Sequence, residues 1–153
     1  MSHKIPVPTE SKTLINKAGR ILIQSNIFSV EYNEALELAN RWRACHAYPI
    51  NTFQATLRTK TQNCKGEVLV AQRLKRMPTI IDKLSRFPNM QITTMQDIAG
   101  IRAIFNELSD IGFIVSKYVG NKSFPHEFVA SYDYISNPRD IDGYRSHHLV
   151  YKY

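Results

Sequence analysis

Residues 98–105 read IAGIRAIF, and the predicted sheet is built around this segment. It is almost wholly apolar, which is typical of a strand covered on both faces of a sheet. Residues 67–75, EVLVAQRLK, begin as a β-branched run and alternate towards their end, which predicts a second strand. A short helix is predicted between them, because apolar residues recur there at helical spacing: Met77, Ile80, Ile81 and Leu84.

The sequence upstream of these strands predicts three helices. One amphipathic pattern runs from Thr9 onward, and a second begins after Ser29, a good N-cap residue. Pro49 interrupts the second pattern, and residues 51–62 predict a third, shorter helix.

The sequence downstream alternates again between helix and strand. Residues 108–118 have helical spacing with Asn106 as a plausible cap, and strands are predicted at 128–135 and 148–153. The whole order predicts an α+β (α/β) fold, in which a mixed β-sheet is flanked by helices and preceded by an N-terminal helical segment.

The length of 153 residues predicts one domain, 1–153, with a helical lead-in over 1–65 and a mixed-sheet core over 66–153. The last predicted strand ends at Tyr153 without a tail. We therefore expect the domain to be cut off at its C-terminal end.

The net charge of +7 is concentrated in one part of the chain. Between Arg58 and Arg86 there are eight basic residues against two acids, Glu67 and Asp82. Such a block attracts polyanions such as nucleotides, nucleic acid or an acidic surface. A solvated basic face is the alternative, and charge alone does not separate the two.

The remaining composition indicates a cytoplasmic protein that does not interact with membranes. Cys45 and Cys64 are too few for a disulfide framework or a zinc site, which fits a reducing compartment. No apolar run approaches the ~20 residues of a membrane span. The N-terminal sequence lacks the apolar core of a signal peptide.

Asp97 is the first candidate for chemistry, since it directly precedes the apolar strand. A carboxylate at a strand edge can hold a divalent metal against phosphates, and Arg102 on the same strand could meet phosphate oxygens. The alternative is a turn-forming aspartate paired structurally with Arg102.

Arg73 and Lys75 form a second candidate group. They are two residues apart in a predicted strand, so both should project from one face, where two cations would suit a triphosphate. An exposed basic edge strand is the alternative.

Residues 133–148, DYISNPRDIDGYRSHH, predict a loop that presents Arg139, Tyr144 and Arg145 between two strands. The ring of Tyr144 could stack on a base while the arginines hold phosphate, or it could fill the core at the exit of the loop. The adjacent His147 and His148 face opposite sides of a strand, which disfavours a shared metal ion.

Three segments in this order resemble the synthetase domain of RelA/SpoT proteins, most closely the small single-domain alarmone synthetases. They are QRLKRMPTIIDKL at 72–84, MQDIAGIRAIF at 95–105 and the loop at 133–148. Residues 40–58, NRWRACHAYPINTFQATLR, are also similar to the helical lead-in of one branch of that family. No GxGxxG, GxxxxGK[ST] or GxSxG motif competes with this interpretation.

The resemblance implies a nucleotidyltransferase-like sheet that moves the β,γ-pyrophosphate of ATP to the 3′-hydroxyl of GDP or GTP. It implies that Asp97 is catalytic and holds Mg²⁺ on the ATP phosphates. It further implies roles in ATP and phosphate binding for Arg73, Lys75 and Arg102, and in binding the guanosine nucleotide for Arg139, Tyr144 and His148. Relatives assemble into oligomers, so a homo-oligomer is among the expected partners.

The sequence departs from the family pattern in three ways. Asp142 stands where the family usually has Asn, the loop is one residue longer, and Arg139 replaces a lysine. The catalytic glutamate of the family lies in a strand downstream of the last histidine, and the chain ends before it. We therefore expect the chain as given to be inactive. Two alternatives stay open: a toxin-like relative that pyrophosphorylates the 3′ end of tRNA, and a non-catalytic nucleotide-binding or regulatory module.

Overall fold

The computed structural model describes residues 8–121 and 124–153. Over these residues it contains five α-helices, one 3₁₀ turn and four strands. The helices are α1 (Lys12–Gln24), α2 (Val30–Ala44), α3 (Ala47–Thr61), α4 (Met77–Arg86) and α5 (Leu108–Tyr118). The strands are β1 (Val68–Leu74), β2 (Ala99–Phe105), β3 (Glu127–Asp133) and β4 (His147–Lys152), and the 3₁₀ turn is Ile92–Thr94.

The chain divides into two compact units. Unit 1 combines the residues up to Gln54 with Ala71–Arg102, and unit 2 combines Ala55–Val70 with Ala103–Tyr153. The predicted helical lead-in of residues 1–65 contains α1, α2 and α3, and its first seven residues lie outside the described part. Within the described ranges, no helix is both long and apolar enough to cross a membrane.

The first two helices begin at serine caps: α2 follows Ser29 as predicted, whereas α1 begins at Lys12, after Ser11, and not at the predicted Thr9. Ser11 Oγ accepts the N–H of Leu14 at 3.2 Å, and Ser29 Oγ accepts the N–H of Tyr32 at 3.1 Å. Each cap satisfies one of the amide groups that the first turn of a helix leaves unpaired. The prediction of Ser29 as an N-cap is confirmed.

The core of unit 1 is a cluster formed by α1, α2, α4 and the segment before β2. Its most buried side chains are about 1% exposed or less, and apolar area removed from water is the main stabilising term in such a cluster. The buried members are Ile15, Ala18, Leu22, Ala35, Leu38, Ala39, Met77, Ile80, Leu84, Ile92, Met95 and Ile98.

Helix α3 begins earlier than predicted. It starts at Ala47, so Pro49 lies inside its first turn and does not mark a boundary before residue 51. The first-turn amides of a helix have no partner within the helix, so a proline there loses no hydrogen bond. The sequence rule applied to Pro49 was therefore wrong at this position.

Strands β1 and β2 pair as a two-stranded sheet. The prediction that β2 is covered on both faces is wrong: exposure alternates along the strand, and Gly100, Arg102 and Ile104 lie on an exposed face. Ile104 is 51% exposed. The buried apolar anchor is Ile98, one residue before the strand begins.

Unit 2 contains the second sheet, in which β3 pairs with β4 in antiparallel register, for example Tyr132 opposite His148. Helix α5 agrees with its predicted bounds, but its N-cap is Glu107 and not Asn106. Aromatic rings meet edge to face on this unit, with Phe124 5.0 Å from Tyr151 and 5.1 Å from Tyr118. Such pairs add modestly to simple burial.

Candidate functional site

The carboxylate of Asp97 is held by two lysines of unit 1. Asp97 lies just before β2, and its Oδ2 is 3.0 Å from Lys75 Nζ. Its Oδ1 is 2.8 Å from Lys83 Nζ, which α4 contributes from its last turn. The structure therefore brings together Asp97 and Lys75, two predicted site residues, and adds Lys83.

The two lysines differ strongly in exposure. The side chain of Lys75 is 9% exposed and that of Lys83 is 24% exposed, whereas Asp97 is 48% exposed. Partial burial raises the pKa of Asp97, but the hydrogen bonds and charges of Lys83 and Lys75 lower it by more, so its pKa lies below the ordinary value. Asp97 is thus an ionised carboxylate between two cations.

Lys75 is fixed by its backbone as well as by its ammonium group. Its N–H donates to the carbonyl of Ile98 at 2.8 Å. Its own carbonyl accepts Nε of Arg43, from the last turn of α2, at 2.6 Å. Sequence reasoning missed both Arg43 and Lys83. Lys83 lies within the segment 72–84 that carries the resemblance, whereas a bond from Arg43 to a backbone carbonyl has no signal in the sequence.

The two predicted arginines of unit 1 are not part of this contact. Arg73 is exposed on β1, while Lys75 lies one residue past the end of that strand and is buried, so the two side chains have different surroundings. Arg102 is exposed on β2. Asp97 pairs with the two lysines and not with Arg102, so the alternative of a structural Asp97–Arg102 pair is wrong.

In unit 2, Tyr144 and His148 lie against each other. The hydroxyl of Tyr144 is 2.9 Å from Nε2 of His148, and their rings meet edge to face at 5.7 Å. The ring of Tyr134 is 5.9 Å from Tyr144 and 5.3 Å from His148. The guanidinium of Arg139 lies 5.9 Å from the centre of the Tyr144 ring, within the range of a cation–π contact.

The loop that carries Arg139 and Tyr144 is closed by its own turn residues. The N–H of Gly143 donates to the carbonyl of Arg139 at 2.8 Å, and Gly143 has a φ of 62°, which favours glycine. The N–H of Tyr144 donates to Asp142 Oδ1 at 3.1 Å, and Asp142 Oδ2 is 3.3 Å from Arg139. Asp142, which departs from the family pattern, therefore orients Tyr144 and pairs with Arg139.

The two histidines of β4 have different partners. Nε2 of His147 is 2.7 Å from Ser131 Oγ, and its Nδ1 is 3.9 Å from Asp133. Asp133 accepts hydrogen bonds from Ser136 and Ile135, which lower its pKa. Across residues 8–121 and 124–153, no three histidine, cysteine or acidic side chains are grouped in a way that could hold a metal ion.

Two surface cavities lie away from these residues. One of ≈ 430 Å³ belongs to unit 2 and the other, of ≈ 270 Å³, to unit 1. Neither is lined by a predicted site residue. We therefore choose the groups around Asp97 and Tyr144 as candidate sites for their charged and aromatic side chains, and not for the size of a cavity.

Comparison with solved structures supports the predicted fold. The chain resembles the crystal structure of the small alarmone synthetase 1 from Bacillus subtilis bound to its product pppGpp, with a TM-score of 0.64 and 26% sequence identity. The match covers 75% of this chain and 63% of that one. The prediction of an α+β, nucleotidyltransferase-like fold is confirmed.

Comparison with characterised sequences adds a second similar protein. The chain is 37% identical over 86 residues to the GTP pyrophosphokinase YjbM of Bacillus subtilis (strain 168). That alignment covers 55% of this chain but 39% of YjbM, so the chain spans about two fifths of that relative.

A family model described as a region found in RelA / SpoT proteins matches residues 72–153. This range is more than half of the chain. It contains Asp97 with its two lysines, the strands β2, β3 and β4, and the loop that carries Tyr144. The chain therefore belongs to the RelA/SpoT family.

Proposed function

We propose that this protein is a guanosine pyrophosphokinase, which transfers the β,γ-pyrophosphate of ATP to the 3′-hydroxyl of GDP or GTP and releases AMP. Membership of the RelA/SpoT family supports the proposal, as do relatives named GTP pyrophosphokinase and small alarmone synthetase. The observation that carries it furthest is the ionised carboxylate of Asp97 between Lys75 and Lys83.

The unit 1 group has the charge pattern that ATP requires. Transfer of a phosphoryl-type group depends on positioning and on neutralising spreading negative charge more than on covalent help. Lys75 and Lys83 are point charges for phosphate oxygens, and the exposed Arg73 and Arg102 add planar donors. In this proposal these residues bind the triphosphate of ATP.

Magnesium fits this group in one specific way. Mg²⁺ is commonly bound by one or two carboxylates together with substrate phosphates, so Asp97 alone is a sufficient protein ligand. Lys83 is the more exposed of the two lysines. When its ammonium binds a phosphate instead, Oδ1 of Asp97 becomes available to the metal. Bound Mg²⁺ would neutralise charge on the polyphosphate.

The unit 2 group has the chemistry for a guanosine nucleotide. The ring of Tyr144 offers a face for a base, and Arg139 and His148 offer donors for phosphate oxygens. The hydroxyl contact with His148 orients the tyrosine ring before a nucleotide arrives, which reduces the entropy lost on binding.

The test is to incubate the full-length protein that carries this domain with Mg²⁺ and ATP labelled at the γ-phosphate, with GDP, GTP or deacylated tRNA in separate reactions. We expect label in the guanosine products ppGpp or pppGpp. Label in tRNA alone would replace this proposal with the RNA-modifying alternative. Binding of both nucleotides without any transfer would replace it with the non-catalytic module.

Tyr144→Ala tests the assignment of the guanosine site within the same assay. Loss of base stacking should weaken use of GDP by about 1–3 kcal/mol while the KM for ATP stays unchanged. Tyr144→Phe should retain most of that binding, since it keeps the ring and loses only the contact with His148. Tyr132→Ala removes another half-exposed tyrosine of unit 2 and is the matched control. An equal loss for both nucleotides with a large drop in Tm would assign Tyr144 to the core instead.

A further inference from the structure

Both backbone polar groups of Lys75, its N–H and its carbonyl, are hydrogen-bonded. The partner of the carbonyl comes from outside the region that matches the family. The N–H bonds to Ile98 at 2.8 Å within unit 1, as expected next to a strand pair. The carbonyl accepts Nε of Arg43 at 2.6 Å, and Arg43 belongs to α2, upstream of residues 72–153.

The contact of Arg43 with this carbonyl is specific. Over the described ranges, the Arg43 side chain makes no ion pair, and its hydrogen bond to Lys75 is its one polar side-chain contact. Arg41, two residues earlier on the same helix, instead pairs with Glu10 at 2.9 Å. A short charged donor on a half-buried carbonyl is stronger than a neutral hydrogen bond, and it fixes the backbone from which the Lys75 side chain extends.

This placement matters because Lys75 has little freedom to compensate. It is 8% exposed, and its ammonium must meet Asp97 from a buried position. Small misplacements of charged groups at a phosphate-transfer site have large effects on rate.

We infer that Arg43 is a positioning residue of the proposed ATP site: it holds the backbone of Lys75 so that the lysine ammonium meets Asp97 and the polyphosphate. The inference rests on the proposed function, since it gives a role to a residue that acts through Lys75. It assigns part of the site to the helical lead-in, through a contact to backbone that leaves no pattern in the sequence.

The first measurement reads the position of Lys75 without nucleotide. Reductive methylation followed by mass spectrometry gives the rate at which each lysine reacts. In the wild type, Lys75 should react slowly, because it is buried and paired. Arg43→Gln should raise the rate at Lys75 severalfold, whereas Arg41→Gln, the matched control on the same turn, should leave it unchanged. An unchanged Lys75 rate in Arg43→Gln overturns the inference.

The second measurement is the affinity for a non-hydrolysable Mg–ATP analogue and, separately, for GDP. Arg43→Gln should weaken the analogue by about tenfold, the worth of one hydrogen bond to a charged group, and leave GDP binding unchanged. Trp42 is the one tryptophan of the sequence and lies next to Arg43, so its fluorescence reports unfolding of each variant. Arg41→Gln should have the affinities of the wild type.

The outcomes separate the two proposals. Equal weakening of both nucleotides with a matching fall in Tm would mean that Arg43 only ties α2 to the strand, and it overturns the inference. A wild type that binds no ATP analogue, although Lys75 reactivity still depends on Arg43, overturns the proposed function and leaves the positioning in place. If Arg43→Gln does not fold, Arg43→Lys and Arg41→Lys are compared instead. Arg43→Lys should bind the ATP analogue more weakly than Arg41→Lys, by a smaller factor than for the glutamine variants. Equal affinities of the two lysine variants would overturn the inference.

Discussion

The charge balance around Asp97 determines what the site attracts. One carboxylate between two ammonium groups leaves a net positive charge. Of the three side chains, Asp97 and Lys83 are partly exposed. Such a group attracts a polyphosphate and repels a free divalent cation. If the proposed function is right, the metal should therefore enter together with the nucleotide, because phosphate charge compensates the lysines.

In the full-length protein, Asp97→Asn should abolish Mg²⁺-dependent transfer and also lower stability. The variant removes the negative partner of the buried Lys75, and we expect a loss of about 1–2 kcal/mol, between the values of exposed and buried ion pairs because Asp97 is half exposed. The measurements are label transfer and urea unfolding. Asp82→Asn, which breaks the exposed pair with Arg86, is the control and should change neither by much.

The stability difference should depend on pH in one direction. The pKa of Asp97 is lowered in the folded state, so its pairing stabilises the protein above the pKa of an unfolded-chain aspartate and is lost as pH falls through the lowered pKa. The gap in Tm between the wild type and Asp97→Asn should be constant near neutral pH and shrink below about pH 4. A gap that widens on acidification would contradict the pairing seen here.

At the level of single residues, some members of the candidate site can be predicted from the sequence and others cannot. Asp97 and Lys75 stand out because each adjoins a predicted strand, and the structure joins them. Their contact to Lys83 needs the position of α4, which periodicity places only approximately. The hydrogen bond from Arg43 cannot be predicted from the sequence, because every residue carries a backbone carbonyl and none marks the acceptor.

At the scale of elements, periodicity predicts the elements well and their surroundings poorly. Helix α4 has its predicted core residues Met77, Ile80 and Leu84, since a helix that buries one face must repeat apolar residues at that spacing. The apolar composition of β2 suggested two covered faces, yet one face is exposed. An apolar composition shows that a strand could be buried on both faces. Whether both faces are in fact covered depends on elements that are distant in the sequence.

Asp110, in the first turn of α5, holds the backbone just before β1, and sequence reasoning did not single it out. Asp110 is 3% exposed and accepts the N–H groups of Lys65 and Gly66 at 3.1–3.3 Å, just before β1 begins. Asp110→Ala would leave these amides without their charged acceptor, so we expect the free energy of unfolding to fall by about 2–3 kcal/mol.

Urea unfolding followed by far-UV circular dichroism measures this loss. Glu107→Ala is the matched control, because it removes an acid from the same helix end that makes no capping hydrogen bond. The control should stay within about 0.5 kcal/mol of the wild type. Equal losses in the two variants would show that the general charge of the helix end, and not the bonds of Asp110, stabilises this region.

For the molecule as a whole, net charge is the property that sequence gives most directly. Of the eight basic residues between Arg58 and Arg86, Lys75, Lys83 and Arg86 pair with carboxylates. Among the described residues the other five make no ion pair: Arg58, Lys60, Lys65, Arg73 and Arg76. Much of the charge is therefore available to polyanions, but charge does not say whether RNA is a substrate or only a competitor.

Salt dependence decides between these two roles of RNA. Binding through several phosphate contacts loses roughly 10³-fold or more in affinity between about 50 and 200 mM salt, whereas a mononucleotide has few phosphates to lose. If GDP or GTP is the acceptor, deacylated tRNA should inhibit transfer at low salt, and the inhibition should disappear at the higher salt while transfer to GDP persists. The measurement is the rate at which the full-length protein transfers label to GDP, with and without tRNA, at both salt concentrations. Label that enters tRNA at both concentrations, faster than it enters GDP, would show that the basic residues bind a substrate.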